Sequence, residues 1–257
     1  MTGPRRPTRS RVHGIGSGGA PLWGPIGLAP EAVIRALVFD FDGLILDTET
    51  AEHQAWHEIY AEHGTVLPLD SWLECIGTSM AGLFDPIEQL ERQLGELVDR
   101  TRLRRRAADR ARGILADRST LPGVTDHIAR AGELGLRLAV ASSSSRAWVE
   151  AHLERLGLGG AFDAIRCSDD VTNVKPDPEL YLAVCRALEV APSDGIAIED
   201  SPHGIRAAKG AGLYCVSVPN ALTRHLSMDE ADLVLVSLAS LSLDDIIDRA
   251  RRPDGTP

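Results

Sequence analysis

The chain has 257 residues, of which 44% are hydrophobic and 25% are charged, a composition typical of a globular protein. No run of about 18 apolar residues occurs, so no segment is predicted to span a membrane. The formal net charge of −10 opposes sequence-independent binding to nucleic acid or anionic lipid, and it favours a small polar ligand.

Residues 1–33 differ in composition from the rest of the chain. They are rich in Arg, Gly and Pro, and Glu31 is the first acidic residue. We predict a flexible tail, because such a segment cannot bury enough apolar surface to offset the entropy lost on ordering. The alternative is an organelle transit peptide, although the Gly and Pro content disfavours the amphipathic helix that such a peptide forms.

From Arg35 onward, short apolar runs typical of buried strands alternate with helical patterns. The predicted strands are 36–39, 136–141, 195–198, 214–218 and 232–236. The predicted helices between them are 124–134, 145–157, 177–189 and 202–211. This alternation predicts an α/β fold with a Rossmann-like parallel sheet covered on both faces, in which ligands bind beyond the carboxyl ends of the strands.

The interval between Thr48 and Leu121 interrupts the alternation. It contains helical patterns at 51–63, 82–99 and 100–116 without a convincing buried strand. We therefore assign residues 34–49 and 120–257 to the core domain and residues 50–119 to an inserted helical cap over the catalytic edge of the sheet.

The four cysteines lie far apart and form no Cys-x-x-Cys pair, which excludes a zinc knuckle and a dithiol redox motif. Reduced thiols and a cytoplasmic location are the simplest expectation.

Polar residues follow several of the predicted strands. Asp40 and Asp42 come directly after the first strand, a placement that suits a nucleophile beside a general acid/base with a cation at hand. Glu199 and Asp200 end another strand, and carboxylate oxygens suit Mg²⁺. The alternative for each pair is a set of acids that cap a helix or remain solvated.

Two further motifs suit a phosphate group. The serines at 142–145 end a strand and open a helix, where hydroxyls and free N–H groups can bind phosphate oxygens. Lys175 is one of two lysines in the chain and precedes Pro176, which restricts the backbone. An ordinary helix cap and a solvated lysine are the alternatives.

Together these motifs resemble the four signature motifs of the haloacid dehalogenase-like hydrolase superfamily. The matching segments are Val38 to Glu49, Ser142, Lys175-Pro176-Asp177-Pro178 and Glu199 to Ile205. The match is similar to the branch that holds beta-phosphoglucomutase and small-metabolite phosphatases, and it covers roughly residues 35–240.

The resemblance implies a Mg²⁺-dependent phosphatase of a small phosphorylated metabolite. Asp40 would be the nucleophile, forming an aspartyl-phosphate, and Asp42 the general acid/base. The implied Mg²⁺ ligands are Asp40, the Asp42 carbonyl and Asp200. Glu199 would either bind the ion directly or contact one of its ligands. The groups implied to hold phosphate oxygens are Ser142, Lys175 and backbone N–H groups near Asp42, Gly43 and Ser143.

Differences from the halide-removing members and from the mutase favour simple hydrolysis of a phosphate ester. Asp42 argues against dehalogenation, because halide-removing members lack this aspartate. Glu52 stands where the mutase has its cap histidine, with His53 one place further, and Met80 lies near the position of an arginine that binds the second phosphate. A phosphosugar mutase and a non-catalytic regulatory subunit remain the alternatives, and the oligomeric state cannot be predicted.

The predicted cap helix 100–116 is rich in arginine. Arg100 falls inside its apolar stripe and Arg104 on the flank, and a side chain placed there needs an anionic partner. Arg104 also aligns with a cap lysine of the mutase that faces the substrate. We therefore predict that Arg104 contacts the leaving group of the substrate; the alternative is that the arginines form a solvated helix face.

Overall fold

The computed structural model describes residues 33–78 and 84–252. The flexible tail predicted for residues 1–33 lies almost entirely outside this part, as does Met80. In the described residues, six parallel strands form one sheet in the order β3-β2-β1-β4-β5-β6. Their bounds are β1 Ala36–Phe39, β2 Arg137–Ala141, β3 Ala164–Arg166, β4 Gly195–Glu199, β5 Tyr214–Ser217 and β6 Leu233–Val234.

The order of the central strands determines which loops lie next to one another. Strand β1 lies between β2 and β4, with Phe39 level with Val140 on one side and Ile198 on the other. The loops that follow these three strands therefore emerge side by side at one edge. This arrangement confirms the predicted α/β fold.

Five helices cover the two faces of the sheet. They are α5 Val124–Glu133, α6 Arg146–Arg155, α7 Glu179–Leu188, α8 Pro202–Ala211 and α9 Leu243–Arg251. Leu37 and Phe39 pack in an apolar cluster with residues of α5, α6 and α9. Ala36 and Val38 pack on the opposite face with residues of α7 and α8, as expected from the period-two geometry of a strand.

In the described residues between β1 and α5 there are four helices. Their bounds are α1 Thr48–Glu62, α2 Leu69–Leu73, α3 Pro86–Leu94 and α4 Arg100–Leu115. They share an apolar cluster of their own, which includes Trp56, Tyr60 and Trp72. The Asp47 carboxylate caps α1 by accepting from the Thr50 N–H at 3.2 Å. The assignment of residues 50–119 to a separate cap remains a prediction.

Some elements differ from the sequence-based prediction. Strand β3 was not predicted, because it is three residues long and only Ala164 is buried. The helix predicted over 82–99 is shorter and ends at Leu94, because Gly95 adopts a left-handed conformation with φ 73°. Helices α2 and α9 were not predicted either.

All four cysteines are buried and free. Among the described residues, no helix combines the length and the apolar character that crossing a membrane requires.

Candidate active site

Three carboxylates meet at the carboxyl ends of the central strands. Asp40 follows β1, Glu199 is the last residue of β4, and Asp200 comes next. All three are buried, and one oxygen from each lies within 4.8 Å of the others. The pairing of β1 with β4 therefore produces the acidic cluster that the motifs predicted.

Lys175 supplies the positive charge in this cluster. Its Nζ lies 2.6 Å from Oδ1 of Asp40 and 2.7 Å from Oε1 of Glu199. Burial alone would lower the pKa of Lys175, but the two carboxylates raise it above its ordinary value. The Tyr181 hydroxyl donates to the same Glu199 oxygen at 2.5 Å, so the Glu199 carboxylate is held from two sides.

The negative charge of the cluster is incompletely balanced. Burial raises the pKa of Asp40, and the Lys175 ammonium opposes this increase. Burial and the neighbouring carboxylates Asp40 and Glu199 raise the pKa of Asp200. Oδ2 of Asp200 accepts from Asn220 at 2.7 Å, whereas its buried Oδ1 has no hydrogen-bond partner among the residues that the structure describes. An orphaned oxygen among hard oxygen donors fits a divalent cation such as Mg²⁺.

Asp42 lies in the turn after β1 and outside the acidic cluster. Thr48 Oγ1 and Trp148 Nε1 donate to its Oδ1 at 2.8 and 2.9 Å. The hydroxyls of Ser142 and Ser144 donate to its Oδ2 at 3.1 and 2.7 Å. Four donors hold this carboxylate in one orientation. Strand β1 ends at Phe39, so Asp40 and Asp42 lie after the strand and not on one of its faces.

The predicted phosphate-binding residues have other partners in this structure. Ser142 contacts Asp42, as described above, and the Ser143 hydroxyl donates to the Gly77 carbonyl at 3.3 Å. The Gly43 N–H donates to the Leu46 carbonyl at 2.8 Å within the turn, so the structure does not leave it free for a phosphate oxygen.

Gly43 instead leaves room for the side chains of Asp200 and Asn220. It has φ +78°, and a Cβ there would lie 2.3 Å from Oδ2 of Asp200 and 2.6 Å from Nδ2 of Asn220.

A cavity of about 250 Å³ opens beside Asp42, between the strand ends and α1. Glu49, Glu52 and Trp72 are part of its lining. Burial, and secondarily the charge of Asp42, raises the pKa of Glu52 to about 7. Burial and the charge of Glu52 raise the pKa of Glu49 above its ordinary value.

Arg104 lies away from the acidic cluster. Its side chain is 63% exposed and its guanidinium lies 3.3 Å from Oδ2 of Asp85, while Arg100 pairs with Glu91. Arg104 lines a second cavity of about 190 Å³, which Glu52 also borders. The anionic partners expected from the helical pattern are therefore residues of the chain itself, and the predicted contact of Arg104 with substrate remains a prediction.

Sequence reasoning missed several residues that contact the site. Asn220 follows β5, so the strand-end rule that found Asp40 could have found it. Ser144 lies in the serine run that was already noted. Trp148 and Tyr181 lie inside helices, where no spacing distinguishes them from core residues.

The model of the haloacid dehalogenase-like hydrolase family matches residues 37–218. The chain belongs to this family. YhcW of Bacillus subtilis (strain 168) is 44% identical over 216 residues, which cover 84% of this chain and 97% of YhcW. Fructose-1-phosphate phosphatase YqaB of Escherichia coli (strain K12) is 31% identical over 182 residues, which cover 71% of this chain and 95% of YqaB.

Solved structures agree with this assignment. The crystal structure of CbbY from Rhodobacter sphaeroides in complex with phosphate has a TM-score of 0.67 and 34% identity, covering 82% of this chain and 97% of CbbY. Beta-phosphoglucomutase from Clostridium difficile shares the fold, with a TM-score of 0.67 and 24% identity, covering 85% of this chain and 97% of the mutase. The predicted superfamily branch and enzyme class, a phosphatase-type hydrolase, are confirmed.

Proposed function

We propose that this enzyme hydrolyses a small phosphomonoester, such as a sugar or nucleoside phosphate, with Mg²⁺ and through an aspartyl-phosphate. The observation that carries the proposal is the Lys175 ammonium between Asp40 and Glu199, beside the orphaned Asp200 oxygen. Among the relatives, YqaB is named for fructose 1-phosphate, and a CbbY variant was solved with xylulose-(1,5)bisphosphate. Both names support a small phosphorylated substrate.

In the first half-reaction, an Asp40 carboxylate oxygen attacks phosphorus and the bond from phosphorus to the ester oxygen breaks. Asp42 donates a proton to the departing oxygen, which leaves as an alcohol. Lys175 and the hydroxyls of Ser142 and Ser143 hold the non-bridging phosphate oxygens, and the two hydroxyls turn from Asp42 and the Gly77 carbonyl to do so.

In the second half-reaction, water attacks the phosphorus of the aspartyl-phosphate. Asp42, now a carboxylate, takes the proton from this water, and the bond between phosphorus and Asp40 breaks. Inorganic phosphate leaves and both aspartates return to their starting states, so the proton balance closes over the cycle.

Asp40, the Asp42 carbonyl and Asp200 would hold Mg²⁺, which would neutralise charge on the phosphoryl group. The Glu199 oxygens accept from Lys175, Tyr181 and the Asp200 N–H. We therefore assign Glu199 to orienting Lys175 and the metal ligands rather than to binding the ion directly.

The test is phosphate release from p-nitrophenyl phosphate with added Mg²⁺ and after treatment with chelator. We expect Mg²⁺-dependent turnover that Asp40→Asn abolishes, because an amide cannot form the acyl phosphate. Asp248→Asn is the matched control, since Asp248 is 75% exposed on α9. More than about a tenth of wild-type activity in Asp40→Asn, far above the residual rate left when a nucleophile is lost, would contradict the mechanism.

Product analysis with beta-glucose 1-phosphate separates hydrolysis from mutase activity. Free glucose and phosphate are expected, and glucose 6-phosphate would indicate a mutase instead. No turnover of any phosphomonoester would favour a non-catalytic role.

A further inference from the structure

Trp148 connects helix α6 to the proposed general acid/base. Its Nε1 donates to Oδ1 of Asp42 at 2.9 Å. Trp148 is the third residue of α6, and this helix follows the serine run after β2. One segment of the chain therefore supplies three of the four donors to Asp42, namely the hydroxyls of Ser142 and Ser144 and this indole N–H.

The indole ring is held by its neighbours. The ring of His152, one turn further along α6, packs on the Trp148 ring in a T-shaped arrangement with the centroids 4.3 Å apart. His152 also lies against Phe41, which precedes Asp42 in the turn after β1, with a centroid distance of 6.2 Å. These contacts join α6 to the turn that carries Asp42, so the indole N–H has a defined direction.

The two carboxylate oxygens of Asp42 have different kinds of partners. Oδ1 accepts from Thr48 Oγ1 and Trp148 Nε1, whereas Oδ2 accepts from the hydroxyls of Ser142 and Ser144. A hydroxyl can rotate and accept a hydrogen bond, but an indole N–H can only donate. Oδ1 is therefore kept as an acceptor whether or not Asp42 carries a proton, and the proton is directed to Oδ2.

This choice of oxygen suits the proposed reaction. Ser142 contacts Oδ2 and is also a proposed ligand of the phosphate, so Oδ2 lies on the side of the phosphoryl group. In the first half-reaction the bond between Oδ2 and its proton breaks, and the departing ester oxygen takes the proton and leaves as an alcohol. In the second half-reaction the same oxygen takes a proton from the attacking water, while Oδ1 stays hydrogen-bonded to Trp148.

We propose that Trp148 is a positioning residue for Asp42: its indole N–H holds Oδ1 and thereby assigns proton transfer to Oδ2. This inference rests on the proposed phosphatase function and adds a residue to its mechanism. In this assignment Trp148 acts through Asp42 and does not contact the substrate.

The experiment measures kcat/KM with Mg²⁺ for ring-substituted phenyl phosphates, whose phenols range from good to poor leaving groups. This parameter covers the steps up to departure of the phenol, and a poor leaving group depends more on the Asp42 proton. Trp148→Phe keeps an aromatic ring and removes the donor. We expect a loss of less than about 2-fold for p-nitrophenyl phosphate and of roughly 10-fold or more for the poorest leaving groups.

Equal losses across the series would indicate a merely structural role and overturn the assignment. Trp56→Phe is the matched control, because it makes the same change in the apolar cluster of α1–α4, at a tryptophan that is not among the described donors to Asp42. Any loss that it causes should be equal for all the phenyl phosphates. If Trp148→Phe does not fold, benzothienylalanine at this position keeps the bicyclic shape and replaces the N–H by sulfur.

A double variant tests whether Trp148 acts through Asp42. Asp42→Asn removes the transferable proton, so it should steepen the dependence on the leaving group more than Trp148→Phe does. Adding Trp148→Phe to Asp42→Asn should steepen the dependence no further, because the group that Trp148 positions is already lost. A further loss that grows with poorer leaving groups would overturn the assignment.

Failure of this inference is distinguishable from failure of the proposed function. If p-nitrophenyl phosphate is hydrolysed in an Asp40-dependent manner and Asp42→Asn steepens the dependence on the leaving group, but no Trp148 variant does, the assignment of Trp148 alone is wrong. If Asp42→Asn leaves this dependence unchanged, the acid role of Asp42 fails and the assignment of Trp148 fails with it. If no phosphomonoester is hydrolysed, the proposed function itself fails.

Discussion

Replacing Glu52 by Gln is expected to stabilise the fold at alkaline pH. The folded protein binds the Glu52 proton more tightly than the unfolded chain, because burial and then the charge of Asp42 raise its pKa from 4.5 to about 7. Ionisation of Glu52 therefore costs folding free energy. Gln has a similar shape and carries no charge at any pH, so the variant escapes this cost.

The pKa difference determines the size and the sign of the effect. Wild type and variant should be equally stable below about pH 4.5, where Glu52 is protonated in both states, and the advantage of the variant should grow until about pH 7. At about 1.4 kcal/mol per pH unit, the interval gives an upper bound of about 3.5 kcal/mol, and partial solvation of this half-buried side chain reduces the expectation to roughly 1–3 kcal/mol.

Urea unfolding without Mg²⁺, at pH 5 and at pH 8, measures the effect. We expect a higher midpoint for Glu52→Gln at pH 8 and a small difference at pH 5. For the exposed control Glu58→Gln, which loses only a surface ion pair with Arg110, we expect a small change of similar size at both pH values. A variant that is no more stable than wild type at pH 8, or equally more stable at both pH values, would refute the reasoning.

Three further predictions concern the proposed mechanism. Asp42→Asn should lower kcat by roughly 10²- to 10⁴-fold through loss of acid/base assistance, and a burst of leaving group in stopped-flow assays would show that Asp40 is still phosphorylated. Asp200→Ala should remove activation by Mg²⁺, and calorimetric titration should detect weaker Mg²⁺ binding; unchanged binding would exclude Asp200 as a ligand. Arg104→Ala should raise KM for the best sugar monophosphate by roughly 10-fold if its guanidinium leaves Asp85 to contact the substrate, whereas unchanged kinetics would leave it as a surface ion pair.

Local sequence patterns are enough to predict the sheet and most of the acidic cluster. Short apolar runs that end in Asp40, Ser142 or Glu199 predict parallel strands, and in any such sheet the carboxyl ends share one edge. Lys175 could be predicted as a site residue because it is one of two lysines and precedes a proline. The structure places its Nζ next to the Asp40 carboxylate. These are local signals, each contained within a few residues of the chain.

The pairing of the side chains depends on long-range packing and could not be predicted. Trp148 reaches Asp42 across 106 positions of sequence, and no spacing rule predicts such a contact, because it depends on the strand order and on how α6 packs. The pairing of Arg104 with Asp85 depends likewise on the packing of α3 and α4. Glu52 is the reverse case: the sequence shows a glutamate like any other on α1, and only packing shows that it lines the cavity beside Asp42. Burial and pairing are properties of the assembled fold, since each arises from groups that are brought together by long-range contacts.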